Sequence, residues 1–300
     1  MSASLRVAST VEEAVHELAA GARPVAGGTD LVVGARQGKA PLPQRLVAIH
    51  RIEKLRRIAA HDQSLRMGAL VTHAELAANP TVRSRLTALA DACVIVGSHA
   101  TRAFGTIGGN LMNASPAMET GGPLLCLDAT VALRSASGAR RVGIAELLAG
   151  PGQTTAAPDE LLEEVYVALP PTDTGSSYVR LEYRRAMEIA VVGATAVIRF
   201  DGDRIAHARV AITALAPTIR RVPDAEAALV GSDAGTEAAQ IAARAVAAAS
   251  EPISDIRASS RYRTAMATVV ARRAIAVAAA RAKGEDIPVP ASTASGGGPR

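Results

Sequence analysis

The sequence contains no tryptophan, only two phenylalanines and four tyrosines in 300 residues. Its cores must therefore be filled by Ala, Val, Leu and Ile rather than by rings, and so few aromatics argue against the platforms on which single-stranded nucleic acid stacks. Cysteine is nearly absent too. Cys93 and Cys126 each sit inside an apolar run, which reads as two buried, inert thiols rather than a disulfide. Two thiolates cannot carry an iron–sulfur cluster, which takes about four. No apolar run approaches the ~20 residues of a membrane span, and the first residues lack the basic-then-apolar layout of a signal peptide, so the expected compartment is the cytoplasm. Lysine is confined to Lys39, Lys54 and Lys283; the net charge of +5 comes from arginines spread through every segment, mostly beside Asp or Glu. That spacing predicts a solvated surface rather than a nucleic-acid footprint.

What is present is apolar residue, 49% of a chain long enough for about two domains. Two overlapping capping boxes in Ser9-Thr10-Val11-Glu12-Glu13 open a helix that ends at Gly21. A short strand (Pro24-Val25-Ala26), a glycine turn (Gly27-Gly28-Thr29) and a second apolar run (Leu31 to Ala35) follow, giving the order helix, strand, glycine turn, helix. Strands are predicted at 45–49 and 65–70, a capped short helix at Thr72–Glu75, and one longer helix from Pro80 to about Gly97. Gly105 through Pro116 fits neither period and reads as a loop. A hairpin turns at Ser137-Gly138, and a strand at 161–169 ends at Pro170-Pro171. The polar stretch 172–177 reads as a linker. Beyond it come a second hairpin around Asp201-Gly202 and three alanine-rich helices near 222–230, 235–249 and 260–284. The last of these carries an expected apolar face of Tyr262, Met266, Val269, Val270, Ala274 and Val277. Residues 286–300 read as a disordered tail.

Two segments could carry chemistry. Val25-Ala26-Gly27-Gly28-Thr29-Asp30-Leu31 sets paired glycines after a strand, where missing side chains let backbone N–H groups approach an anion. Gly105-Thr106-Ile107-Gly108-Gly109-Asn110-Leu111-Met112-Asn113-Ala114-Ser115-Pro116 repeats the design, with Thr106, Asn110, Asn113 and Ser115 able to bond phosphate or ribose oxygens. Neither a three-glycine dinucleotide fingerprint nor a Walker lysine is present. On the residues alone, a dinucleotide pinched between the two segments and a pair of unrelated surface loops stay open as alternatives. Catalytic side chains are not evident. The histidines lack metal spacing and read as solvated or capping, Glu12-Glu13 and Glu163-Glu164 are adjacent and cannot share a helix face, and no nucleophile-elbow serine occurs. Reactivity would have to come from a bound group.

Four ordered motifs make the sequence recognisable: Val25-Ala26-Gly27-Gly28-Thr29-Asp30-Leu31; Gly105-Thr106-Ile107-Gly108-Gly109-Asn110-Leu111; Ala114-Ser115-Pro116-Ala117; and Arg184-Arg185-Ala186-Met187-Glu188-Ile189-Ala190. Together, over residues from about 5 to 285, they resemble the FAD-binding medium subunit of molybdenum hydroxylases, the carbon monoxide dehydrogenase and xanthine dehydrogenase family. The resemblance implies an α+β chain. Residues 1–171 would be a two-part FAD-binding domain of the vanillyl-alcohol-oxidase/PCMH type, divided near 55. Residues 178–285 would be a small C-terminal domain with a three-stranded antiparallel sheet and a helical bundle. Gly27, Gly28, Thr29 and Asp30 would hold the pyrophosphate from one side, with Val25, Ala26 and Leu31 beside them. Gly105, Thr106, Gly108, Gly109 and Asn110 would hold it from the other. Arg180 stands where the family commonly has Lys near the flavin ring, Glu119 where it usually has Asp, and Glu188 likewise replaces an Asp. The stretch 97–104 lacks the Gln and Asn often found there. The implied partners are a large molybdenum-cofactor subunit and a small subunit with [2Fe-2S] clusters, in a hetero-oligomer such as a dimer of heterotrimers. The rival expectations are a self-contained FAD-dependent oxidase of the vanillyl-alcohol-oxidase type and a non-catalytic nucleotide-binding regulator.

Overall fold

The computed structural model describes residues 4–38, 40–184 and 186–291, organised around three principal sheets. In the first, strands Ser4–Val7 and Arg23–Val25 flank Arg45–Ala48, all parallel. Parallel strands need crossover connections: helix Val11–Ala19 links the two outer strands, and helix Leu31–Arg36 lies in the connection from Arg23–Val25 to its neighbour Arg45–Ala48. The Thr10 hydroxyl accepts the Glu13 N–H and the Glu13 carboxylate accepts the Ser9 N–H, so the predicted capping box forms. Val11, Ala14, Val15 and Leu18 are then buried in one small core with Val47, Ile49, Ile52 and Leu55. The glycine turn leaves the carboxyl end of Arg23–Val25, the edge of a parallel sheet at which ligands commonly sit.

The second sheet is antiparallel, in the order Ile58–His61, Ser64–Gly68, Leu161–Ala168, Thr130–Ser135, Gly138–Gly143. Alternation along its strands sends Leu65, Met67, Val131, Leu133, Val165 and Val167 into the largest core and leaves Arg66, Arg134, Glu164 and Tyr166 on the other face. The expected single helix from Pro80 to Gly97 is two, Pro80–Arg85 and Thr87–Ile95, with Leu86 at φ −125° and ψ 50° between them. Leu86 is fully buried and the Thr87 hydroxyl donates to the Ser176 carbonyl at 2.6 Å; tertiary contact overrides helical propensity here. The expected loop from Gly105 also needs correcting, because Ile107–Asn113 is helical, with Thr106 accepting the Gly109 N–H at 3.0 Å as its N-cap. Glycines weaken a helix, yet a Cβ on Gly108 would stand 2.6 Å from that of Ala69.

In the third sheet Thr174–Leu181, Val192–Asp201 and Arg204–Thr213 pair antiparallel in sequence order, and a two-residue strand, Arg220–Arg221, adds a fourth to the three expected. Helices Pro223–Leu229, Thr236–Ala248 and Ser260–Ala282 complete this part. A Cβ on Gly175 would lie 2.0 Å from the Ala278 carbonyl oxygen, so the last helix rests directly on the first strand. The face it buries runs through Ala267, Val270, Ala271, Ala274, Ile275 and Ala278; Tyr262 is exposed and Arg263 buried, a rotation from the expected face. Arg263 is accommodated by the Val191 carbonyl at 2.8 Å and Asp255 at 2.7 Å.

The predicted linker and part of the predicted tail are structured. Thr174 to Ser177 begin a strand, and their polarity is absorbed: the Ser176 hydroxyl accepts the Ala88 N–H at 3.0 Å and the Ser177 hydroxyl donates to the Ala274 carbonyl at 2.7 Å. Buried Asp91, on helix Thr87–Ile95, pairs with Arg281 at 2.7 and 3.0 Å and accepts the N–H groups of Tyr178 and Ala291. Residues 286–291 are therefore docked rather than disordered, with Ala291 fully buried; 292–300 lie outside the described residues.

Candidate functional site

The two glycine segments meet. A Cβ on Gly27 would fall 1.8 Å from the Phe104 carbonyl oxygen, and one on Gly105 would fall 3.7 Å from Thr29 Oγ1. Backbone lies against backbone, an approach only glycine permits. Gly28 takes φ +71°, and the N–H groups of Gly27, Gly28 and Thr29 have no acceptor among the described residues. Successive open N–H groups around a left-handed glycine form a concave anion nest. Around it, Val25 ends its strand, Ala26 packs on the first core, exposed Asp30 precedes helix Leu31–Arg36, and Leu31 begins it.

The second segment contributes differently. Ile107 and Gly108 donate their N–H groups to the Val71 and Ala69 carbonyls at 2.9 and 3.0 Å, and Gly109 donates to Thr106. Open donors are thus concentrated on the first segment, while the second brings close-packed backbone and polar side chains. Asn110 Oδ1 accepts from the Thr120 hydroxyl at 2.6 Å, which leaves its amide N–H groups for another partner. Asn113 is exposed at the opposite end of that helix from Thr106, and the structure does not bring it to the glycine turn.

Glu119 and Arg180 are both buried and meet each other. Arg180 Nη1 donates to Glu119 Oε1, the Tyr178 hydroxyl donates to Glu119 Oε2, and Arg180 Nε donates to Glu182 at 2.6 Å. Burial pushes the Glu119 carboxyl up, against the pull of Arg180 and Tyr178. Burial also works against the Arg180 charge, but Glu119, Tyr178 and Glu182 outweigh it and raise the guanidinium above its ordinary value. Tyr178 is pushed well above the usual phenol range by burial and by Glu119, so it stays a donor. Both Glu119 oxygens are thereby engaged inside the protein. Tyr178 and Glu182 belong to no sequence motif, but positions 178, 180 and 182 alternate on one side of a strand and its continuation, a period-two signal that groups them with Arg180.

Two further residues, His73 and Arg102, lie close to the glycine segments. His73, treated as solvated or capping, is buried beside Cys93 and Gly105, and burial, then the Arg102 charge, hold its imidazole down to about 4. Arg102 lies on helix His99–Phe104, in the stretch noted only for its missing Gln and Asn. Glu188 bonds Arg184 at 3.0 Å, and Met187 donates its N–H to the Gly97 carbonyl at 2.9 Å, laying residues 186–190 beside that helix. Cys93 and Cys126 are free, buried thiols that burial raises far above their ordinary range. Among the described residues no three His, Cys, Asp or Glu side chains converge as a metal requires, and no helix is long and apolar enough to cross a membrane.

Known proteins resemble this chain along nearly its whole length. Residues 2–170 match the FAD binding domain in molybdopterin dehydrogenase, and residues 177–278 match the CO dehydrogenase flavoprotein C-terminal domain. The carbon monoxide dehydrogenase medium chain of Hydrogenophaga pseudoflava is 31% identical over 265 residues, 88% of this chain and 92% of that one. The xanthine dehydrogenase FAD-binding subunit of Escherichia coli is 29% identical over 287 residues, 94% of this chain and 98% of that one. A solved carbon monoxide dehydrogenase from Hydrogenophaga pseudoflava, lacking the Mo-pyranopterin moiety of its molybdenum cofactor, superposes with a TM-score of 0.90 at 32% identity, covering 94% of this chain and 98% of its own. With an FAD-binding model over more than half of its length and relatives along nearly all of it, the chain belongs to the family of FAD-binding medium subunits of molybdopterin dehydrogenases, flavoprotein oxidoreductase subunits of the carbon monoxide and xanthine dehydrogenase type.

Proposed function

We infer that this chain is the electron-transfer subunit of a cytoplasmic molybdenum hydroxylase. It would receive electrons from [2Fe-2S] clusters on a small partner subunit, which a molybdenum cofactor on a large partner supplies, and deliver them to an external acceptor. The carrying observation is the open N–H nest of Gly27, Gly28 and Thr29 pressed against Phe104 and Gly105. These residues fit FAD: the nest matches the diphosphate in charge and in the space left by the missing side chains. Bound FAD supplies the exchange of single electrons and pairs. The chain's own residues position and tune: Gly27 to Thr29 hold the diphosphate, Thr106 and Asn110 line the second wall, and Arg180 is kept charged by Glu119 and Glu182. By the same reading residues 1–171 are an FAD domain of the vanillyl-alcohol-oxidase/PCMH type and 178–285 the C-terminal domain. The two reduced, buried thiols accord with a cytoplasmic setting.

Reconstitution tests the reading. The purified chain should bind FAD with a flavin absorbance band and accept electrons from dithionite, yet leave organic substrates untouched. Adding a cluster subunit and a molybdenum subunit from the same source should restore substrate-driven bleaching in an anaerobic stopped-flow trace. If the chain alone bleaches its flavin with a small organic substrate at ~10 s⁻¹, a typical enzyme rate, the self-contained oxidase replaces this proposal.

A further inference from the structure

Helix His99–Phe104 is wedged between two parts of the site. The carbonyl of Phe104 lies against Gly27. Nearer its amino end the helix faces residues 186–190, where the Thr101 hydroxyl meets Met187 Sδ at 3.5 Å. Arg102 belongs to this helix and is half-buried. Its guanidinium has one hydrogen-bond partner among the described residues, the Val96 carbonyl at 2.9 Å, and no carboxylate of those residues lies within ion-pair distance. Arg180, by contrast, is gripped by Glu119 and Glu182. Burial, and then the Arg180 charge, push the Arg102 guanidinium below its ordinary value, as expected of a cation held near a like charge without a counter-ion. His73, the other basic group Arg102 acts on, stays neutral and adds no positive charge. The glycine nest next to this helix offers only uncharged donors.

We propose that Arg102 is the counter-charge of the site, the guanidinium that pairs with the diphosphate of the dinucleotide cradled by Gly27, Gly28 and Thr29. This rests on the FAD reading above and adds to it the cation that the glycine segments lack. A guanidinium fork matches two phosphate oxygens at once, and the pairing would relieve the repulsion from Arg180.

The test titrates the full-length apo chain with FAD, ADP and riboflavin at several salt concentrations, in wild type, R102Q and R102K. ADP carries the diphosphate without the ring, riboflavin the ring without phosphate. R102Q should weaken FAD and ADP alike by about 10- to 100-fold, flatten the salt dependence and leave riboflavin binding as in wild type. R102K, which keeps the charge and loses the fork, should fall between and serves as the decisive variant if R102Q does not fold. A folded R102Q that binds FAD and ADP as wild type does overturns the proposal, as does an equal loss for riboflavin, which would mark a structural role. A wild-type chain that binds ADP but no flavin refutes the FAD reading while the ADP comparison still judges Arg102. Binding of neither ligand by wild type overturns both.

Discussion

At position 73 the imidazole is enclosed so completely that protonating it works against folding. Its folded value, about 4, lies below the ~6.5 of an unfolded histidine. Between those two values the unfolded chain binds a proton that the native chain does not, so stability is full above about pH 6.5 and falls as the pH drops toward 4. The span amounts to about 3 kcal/mol. Chemical denaturation at pH 7.5 and pH 5 should show about 2 kcal/mol of that loss in wild type and a flatter profile in His73→Asn; equal slopes in the two proteins would show that another group titrates. Arg180 carries a second expectation at the same scale. Arg180→Ala would leave Glu119 and Glu182 without their cation in a buried site, so the bound flavin's midpoint potential should fall as local negative charge rises. Potentiometric titration reads this, and an unchanged potential would separate Arg180 from the ring.

Among the elements, the glycine segments invite a paired comparison. Gly27→Ala places a methyl group on the Phe104 carbonyl, where backbone would have to move. FAD affinity should drop at least tenfold, since opening the contact by an ångström misplaces the nest. Gly34→Ala, on the neighbouring helix Leu31–Arg36, meets nothing within 4 Å and should be neutral or stabilise by up to ~1 kcal/mol. Equal FAD binding by the two variants would dissociate the Gly27 contact from the site. The helix at Val11–Ala19 was legible because Thr10 and Glu13 state its start locally. The helix at Ile107–Asn113 was not: its sequence opens with Ile107-Gly108-Gly109, a poor local case for a helix, and its reason is Ala69 and Val71, whose carbonyls take the first N–H groups. Likewise Glu119 was named as a candidate, but its partners Tyr178 and Arg180 come from a strand some sixty residues on, a pairing that no local pattern encodes.

Across the whole molecule, the parts are joined through Asp91. Asp91→Ala would leave Arg281 buried without its carboxylate and remove the acceptor of two backbone N–H groups, a loss of about 3–5 kcal/mol. Hydrogen exchange should report it as lost protection in Thr87–Ile95 and Thr174–Leu181; unchanged protection would show that the remaining contacts, Thr87 and Ala88 on Ser176 among them, hold the parts together without Asp91. The outer sheet face behaves otherwise. Its crevice of about 310 Å³ is lined by Lys54, Arg66, Arg134, Arg140 and Arg141, but Glu163 and Glu164 share that lining and Glu160 pairs with Arg140, so its charge is largely spent within the chain. The Asp91 junction has a further consequence in time. Its partners Arg281 and Ala291 lie 190 and 200 residues downstream, so as the chain leaves the ribosome the sheet and helices around Asp91 are complete long before the groups that neutralise it have been made. Until then Asp91 must remain hydrated, and helix Thr87–Ile95 cannot be fully enclosed. The burial of that helix is thus completed by the last helix rather than by the half of the chain that carries it.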